Sequence, residues 1–163
     1  MLPASARRRM TACDEIRATP DVPASSSRHV PGGLPEREKR TNRLILVVDD
    51  FEDNRAMFAV YLTYSGYDVV EAGDGQEAVD VASRRLPDAI VMDLSLPVMD
   101  GWEATRRLKA DERTRHIPII ALTGHAQAGQ SHDAREAGCD AFLAKPCLPE
   151  MLVEKVQELT GGR

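Results

Sequence analysis

A single carboxylate ends a strongly apolar segment in the middle of this chain. Residues 89–92 read Ala-Ile-Val-Met, Asp93 follows them, and the chain then turns through Pro97 and Gly101. An apolar run of this length between turn-forming residues is typical of a strand buried in a parallel sheet. Ligands of open parallel sheets bind just beyond the carboxyl ends of the strands. Asp93 is therefore predicted to lie at a binding edge, and we expect it to be the reacting residue.

Four more polar side chains follow apolar runs in the same way. Asp49 and Asp50 come directly after the first run, and Thr123 and Lys145 follow two later runs. Because the carboxyl ends of parallel strands meet at one edge of a sheet, we expect these side chains to converge on Asp93. A single aspartate after a strand most often caps a helix. The joint arrangement, in which separate runs each end in such residues, is what indicates a site.

Three carboxylates at one edge require a counter-charge. Two carboxylates about 4 Å apart repel by roughly 4 kcal/mol at an effective dielectric constant of about 20, and protonation or a bound cation would relieve the repulsion. An all-oxygen site suits Mg²⁺ better than zinc, which prefers nitrogen and sulfur ligands. Lys145 would add one positive charge, and Thr123 would add a hydroxyl donor.

Strands and helices alternate strictly after residue 43, which predicts a parallel sheet with helices on both faces and right-handed crossovers. The strands are predicted at residues 44–48, 67–72, 89–93, 116–122 and 140–144. The second strand is more polar than the others, so we place it at a sheet edge. One connecting helix is predicted over residues 126–137, and the last helix is predicted to start at residues 148–150.

Three of the helices carry specific expectations. Asp53 or Asn54 is expected to cap the first helix. Its apolar face is expected to consist of four residues at helical spacing, Met57, Val60, Tyr61 and Tyr64. The third helix is expected to direct three basic residues outward, Arg106, Arg107 and Lys109. In the last helix, four residues at core spacing are expected to face the core, Met151, Leu152, Val156 and Leu159.

The first 43 residues differ in composition from the remainder. They carry a net charge of +4, against −9 for the other 120 residues, and contain five of the ten prolines and none of the seven aromatic residues. Such a segment cannot bury enough apolar surface to offset its ordering entropy, so residues 1–42 are expected to form a disordered N-terminal extension. A start site assigned too far upstream would also explain it, because Met10 could begin the chain.

Several classes of protein are disfavoured by the composition. The run Arg7-Arg8-Arg9 is followed by no apolar stretch, which argues against a signal peptide. It is short and lacks aromatic neighbours, so we favour a solvated tail over nucleic-acid contact. No run approaches the length of a membrane span. Cys13, Cys139 and Cys147 fit no metal-ligand spacing, and we expect reduced thiols in a cytoplasmic protein.

Four motifs resemble those of the receiver domains of two-component response regulators, in particular the stand-alone kind. They are Val-Val-Asp-Asp at 47–50, the segment 91–101, Ala-Leu-Thr-Gly at 121–124 and Phe-Leu-Ala-Lys-Pro at 142–146. Their order and separations are together specific, and the resemblance covers residues 43–160, which we assign as the receiver domain. It implies an α/β flavodoxin-like (βα)5 fold, a doubly wound five-stranded parallel sheet of order 2-1-3-4-5.

The resemblance implies a phosphoacceptor and a metal site. Asp93 would accept a phosphoryl group, as 4-aspartylphosphate, from a sensor histidine kinase or a histidine phosphotransfer protein. Asp50 and Asp93 would bind Mg²⁺ directly, Asp49 would bind it through water, and Ser95 would contribute its backbone carbonyl. A carboxylate can attack phosphorus in line while a cation and a lysine neutralise the equatorial oxygens.

The resemblance also implies a set of residues that respond to the phosphoryl group. Thr123 would hydrogen bond to its oxygens, Lys145 would pair with it, and Phe142 would change rotamer together with Thr123. The bond between Lys145 and Pro146 would be cis. His125 lies where the family varies, and either tunes phosphoryl hydrolysis or is an ordinary surface histidine.

Together, these expectations describe a single-domain response regulator that acts in a Mg²⁺-dependent phosphorelay. It would be either a monomer or a dimer that forms upon phosphorylation. It would signal through the face formed by the last helices and strand, to a protein target that the sequence does not identify. No DNA-binding, cyclase or phosphodiesterase segment follows Gly162, so direct DNA binding is not expected. The protein is expected to be a phosphoacceptor signalling domain and not an enzyme, and it would take part only in its own phosphorylation and dephosphorylation.

Two alternatives belong to other functional classes. An aspartate-nucleophile phosphatase of the haloacid-dehalogenase type requires a second acid two residues after the nucleophile, where this chain has Ser95. A receiver-like adaptor that is never phosphorylated is disfavoured because all five site residues are present.

Overall fold

The computed structural model describes residues 41–124 and 137–161. In these ranges the strands are β1 (Leu44–Val48), β2 (Asp68–Ala72), β3 (Ala89–Asp93), β4 (Ile119–Thr123) and β5 (Ala141–Ala144). The helices are α1 (Glu52–Tyr64), α2 (Gly75–Arg85), α3 (Gly101–Ala110) and α4 (Pro149–Thr160). The strands pair in parallel in the order β2-β1-β3-β4-β5. The predicted α/β flavodoxin-like fold is therefore confirmed, with β2 at an edge of the sheet.

Some predictions fall outside the described residues. These include the helix expected between β4 and β5, His125, and residues 1–40 of the expected N-terminal extension. Within the described ranges, no helix is both long and apolar enough to cross a membrane.

An apolar core lies on each face of the sheet. Leu46 and Val48 of β1 enter one core, and Ile45 and Val47 enter the other, because successive strand residues point to opposite faces. The first core is closed by α2 and α3, and the second by α1 and α4. The central strands β1 and β3 are buried along their whole length, as expected for strands covered by helices on both sides.

Helix α1 turns a different face to the sheet from the one predicted. Phe58 and Leu62 are buried, whereas the four predicted apolar-face residues are exposed, namely Met57, Val60, Tyr61 and Tyr64. Apolar residues recur at helical spacing on both sides of this helix, so the periodicity alone could not select the buried side. Helix α1 consequently presents an apolar stripe to solvent.

The predicted cap of α1 is also wrong. Phe51 occupies the N-cap position and makes no side-chain capping hydrogen bond, so Asp53 and Asn54 lie inside the first turn. The Asn54 side chain instead donates to both carboxylate oxygens of Asp49. A polar contact with Asp49, five residues earlier in the preceding loop, has thus replaced the capping bond.

Lys109 does not project into solvent as predicted. Its Nζ atom donates to the carbonyl oxygen of Ile117 at 2.9 Å and pairs with Asp140 at 2.8 Å. The Asp140 carboxylate also accepts the backbone N–H of Ile119. Lys109 therefore joins the end of α3 to the start of β4 and to the segment before β5.

The core face of α4 differs from the prediction at one position. Leu152 and Val156 are buried as expected, but Met151 is 49% exposed and Val153 is buried in its place. Strand β4 also starts later than predicted, at Ile119, since Pro118 has no N–H to donate to the ladder.

Candidate functional site

The acidic residues predicted to converge do meet at one edge of the sheet. One carboxylate oxygen from each of Asp49, Asp50 and Asp93 lies within 4.8 Å of the other two. Lys145 reaches the same place, where its Nζ atom donates to Oδ2 of Asp49 at 2.7 Å and to Oδ2 of Asp93 at 2.8 Å. A lysine that follows β5 therefore bridges two carboxylates that follow β1 and end β3.

The cluster is buried on one side and open on the other. Asp49 is completely buried and Asp93 is 3% exposed, whereas Asp50 is exposed. Burial by itself lowers the pKa of Lys145, but its hydrogen bonds to Asp49 and Asp93 and their charges outweigh this effect and raise the pKa above its ordinary value. Lys145 therefore carries a positive charge at neutral pH and offsets part of the acidic cluster.

Both carboxylate oxygens of Asp93 accept hydrogen bonds. The backbone N–H of Ser95 donates to Oδ1 at 3.0 Å, and Lys145 donates to Oδ2. Ser95 itself is exposed. The side chain of Asp93 is thus held in one orientation by groups from its own loop and from the loop after β5.

Asp49 is held by groups from the loop and helix that follow it. The N–H of Phe51 donates to its Oδ1 at 2.9 Å, and Asn54 donates to Oδ1 at 3.2 Å and Oδ2 at 3.3 Å. Arg55 Nη1 donates to the carbonyl oxygens of Asp49 at 2.7 Å and Asp50 at 3.3 Å. Asn54 was predicted only as a possible helix cap, and Arg55 was not predicted as a site residue. The sequence signal that could have indicated them was their position in the first helical turn after Asp49 and Asp50.

Thr123 and Phe142 lie on neighbouring strands near the cluster. Asp93 pairs in register with Leu122, so Thr123 is the next residue toward the same edge of the sheet. Its carbonyl oxygen accepts the N–H of Lys145 at 2.7 Å. Phe142 pairs with Ala121, two residues before Thr123, and therefore lies on the same face of the sheet. It is half-buried against the core beneath α2 and α3. The bond between Lys145 and Pro146 is cis, as the resemblance implied.

The donor set fits a hard divalent cation. Carboxylate oxygens from three residues converge, and one of these residues, Asp50, is exposed to solvent. Mg²⁺ prefers oxygen ligands and retains water in its coordination shell. The positive charge of Lys145 is already engaged by the two buried carboxylates. The arrangement can therefore hold one cation on its open side.

The loop between β3 and α3 contains a strained turn beside the site. Val98 has a φ of 65°, and the N–H of Met99 donates to the carbonyl oxygen of Pro97 across it. A positive φ is unfavourable for a β-branched residue. The Val98 side chain is 89% exposed, so it gains little from packing in return.

Replacing Val98 by glycine is expected to stabilise the protein by about 1 kcal/mol, because glycine adopts positive φ without steric cost. Urea unfolding of the parent, Val98→Gly and Val98→Ala would measure this. The alanine variant keeps the Cβ atom and should gain much less. A glycine variant less stable than the parent would contradict the assignment of strain.

The chain is similar to proteins of one family. The profile of the response regulator receiver domain matches residues 45–157. The polar-differentiation response regulator DivK of Brucella ovis is 38% identical over 117 residues, which are 72% of this chain and 95% of that relative. The chemotaxis response regulator CheY4 of Vibrio cholerae is 31% identical, with a TM-score of 0.70 over 73% of this chain and 99% of that chain.

A second similar structure contains a bound metal ion. The receiver domain of the sensor histidine kinase PA1611 from Pseudomonas aeruginosa PAO1 is 40% identical, with a TM-score of 0.69, over 74% of this chain and 99% of that chain. That protein has a magnesium ion coordinated in its active site cleft. From the family profile, the relatives and the shared fold, the chain belongs to the response regulator receiver domain family.

Proposed function

We propose that this protein accepts a phosphoryl group on Asp93 in a Mg²⁺-dependent phosphorelay and signals as a stand-alone response regulator. The observation that carries the proposal is the contact of 2.8 Å between Lys145 Nζ and a buried Asp93 carboxylate, with two further carboxylates within 4.8 Å. The stand-alone type is supported by the DivK relative, since this chain matches 95% of its length.

Asp93 and Lys145 have the chemistry that transfer of a phosphoryl group requires. A carboxylate oxygen of Asp93 attacks the phosphorus of a phosphohistidine, and the phosphorus–nitrogen bond breaks as the acyl phosphate forms, so that the imidazole leaves with the electron pair. The ammonium group of Lys145 pairs with the phosphoryl oxygens that approach Asp93. Mg²⁺ held by Asp49, Asp50 and Asp93 would neutralise the remaining charge of these oxygens.

The donor is proposed to be a protein, either a sensor histidine kinase or a histidine phosphotransfer protein. In the described parts of the loops that carry the site, three apolar side chains are exposed, Phe51 at 65%, Val98 at 89% and Leu148 at 64%. The exposed apolar stripe of α1 begins beside the first of these loops. Apolar residues that rim a polar pocket favour contact with a protein over a small phosphate ester.

We propose that the protein turns over no separate substrate. A phosphatase with an aspartate nucleophile requires a general acid for the leaving group, and the residue two positions after Asp93 is Ser95, which cannot serve as one at neutral pH. Phosphorylation is instead proposed to shift Thr123 and Phe142 and thereby change the surface formed by β5 and α4.

The cytoplasm is the proposed compartment. Cys139 and Cys147 are free thiols, as is usual in reducing compartments. Burial raises the pKa of the Cys139 thiol, and Cys139 is therefore protonated and unreactive at neutral pH.

Acetyl phosphate labelling tests the proposal. Incubation with acetyl phosphate and Mg²⁺ is expected to add one phosphoryl group, seen by intact-protein mass spectrometry, and chelation of the metal is expected to prevent it. Borohydride reduction followed by peptide mapping should place the modification on residue 93. Labelling at another residue, or labelling that is unaffected by chelation, would refute the proposal.

A further inference from the structure

The loop that carries Asp49 and Asp50 is fastened by a side chain outside the acidic cluster. Arg55 donates through Nη1 to the carbonyl oxygens of both residues, at 2.7 and 3.3 Å, and its Nε donates to Glu71 of β2 at 3.3 Å. The Arg55 side chain is only 18% exposed. The guanidinium group therefore fixes the backbone of two acidic residues and does not itself donate to their carboxylate oxygens.

Asn54, the residue before Arg55, contacts the carboxylate of Asp49 rather than its backbone. Asn54 donates to both oxygens of Asp49, which also accept the N–H of Phe51 and the Nζ of Lys145. By contrast, none of the described residues donates a hydrogen bond to the carboxylate of Asp50, whose backbone carbonyl accepts the one from Arg55. The Asp49 carboxylate is thus oriented by donors within the protein, whereas the Asp50 carboxylate is left to bind a cation from solvent.

We propose that Asn54 and Arg55 are positioning residues that set the Mg²⁺ affinity of the site, an inference that rests on the function proposed above. Asn54 holds the orientation of the Asp49 carboxylate, and Arg55 holds the loop that presents Asp50. Without them, three acidic groups that repel one another would need to be brought together by the metal itself. Residues that orient metal ligands typically contribute 10- to 100-fold to metal affinity.

The sign of the effect separates positioning from simple electrostatics. Removing the positive charge of Arg55 would by itself favour a nearby cation. A loss of Mg²⁺ affinity in Arg55→Ala can therefore arise only from lost geometry. Asn54→Ala changes no charge, so its effect reports on the orientation of Asp49 alone.

Isothermal titration with MgCl₂ would test the inference in the full chain. Asn54→Ala and Arg55→Ala are each expected to weaken Mg²⁺ binding by about tenfold. Arg55→Lys, which keeps the charge and one donor, should recover part of the loss. Arg106→Ala is a matched control, because Arg106 pairs with Glu103 on the exposed surface of α3, and it should bind Mg²⁺ as the parent does.

Thermal unfolding in a chelator, recorded for the same variants, separates positioning from a purely structural role. A structural role would lower the unfolding temperature without Mg²⁺ and leave the dissociation constant of the folded protein unchanged. If Arg55→Ala does not fold, Arg55→Lys and Asn54→Ala carry the test. The inference is overturned if the folded variants bind Mg²⁺ as tightly as the parent, or more tightly. A parent that binds no Mg²⁺ would instead refute the proposed function.

Discussion

The Asp93→Asn variant is expected to take up no phosphoryl group from acetyl phosphate or from a phosphohistidine donor. An amide is neutral and a very poor nucleophile, and it cannot form the acyl phosphate that a carboxylate forms. Lys145 and Asp50 remain in place in this variant, so the loss isolates the contribution of one oxygen atom. Intact-protein mass spectrometry after incubation with the donor and Mg²⁺ measures the outcome.

Loss of labelling in this variant should not reflect unfolding. The substitution removes one of three acidic groups that lie within 4.8 Å of one another, and Lys145 keeps its contact of 2.7 Å with Asp49. The unfolding temperature in a chelator is therefore expected to be no lower than that of the parent. Asp80→Asn, on the exposed surface of α2, is the matched control and should be labelled normally. Persistent labelling of Asp93→Asn would remove Asp93 from the proposed role.

Gly101→Ala is expected to destabilise the protein by about 3 kcal/mol, the upper part of the range for overpacking. A Cβ atom on Gly101 would lie 2.1 Å from the carbonyl oxygen of Asp93 and 2.8 Å from Cα of Leu94. Both neighbours are backbone atoms, so relief requires α3 to move away from the end of β3. Urea unfolding followed by circular dichroism would measure the loss.

The same substitution should also disturb the site, because the clash is with the backbone of Asp93. At a temperature where the variant is still folded, we expect slower labelling by acetyl phosphate than in the parent. Gly124→Ala is the control, since a Cβ atom there meets no neighbour within 4 Å among residues 41–124 and 137–161, and its stability should change by no more than about 0.5 kcal/mol. Equal stabilities for the parent and Gly101→Ala would show that the close approach is not rigid.

Much of the fold could be predicted from the amino-acid sequence because the signals are local. Buried central strands are short apolar runs between turn-forming residues, and their alternation with helices specifies a parallel sheet. The meeting of Asp49, Asp93 and Lys145 followed from the same logic, since residues after parallel strands share one edge. Their individual roles in phosphoryl transfer remain predictions that the labelling experiments test.

Tertiary structure alone decided contacts for which the sequence offers two equivalent choices. Helix α1 has apolar residues on two sides, and only packing against the sheet selects Phe58 and Leu62 for burial. Asn54 has the chemistry of a helix cap, yet a buried carboxylate outside the helix is the stronger partner. Lys109 likewise turns from solvent to Asp140 of a distant segment. Periodicity and residue type therefore determined the framework and the place of the site, whereas the partners of individual polar groups depended on distances that exist only in the folded chain.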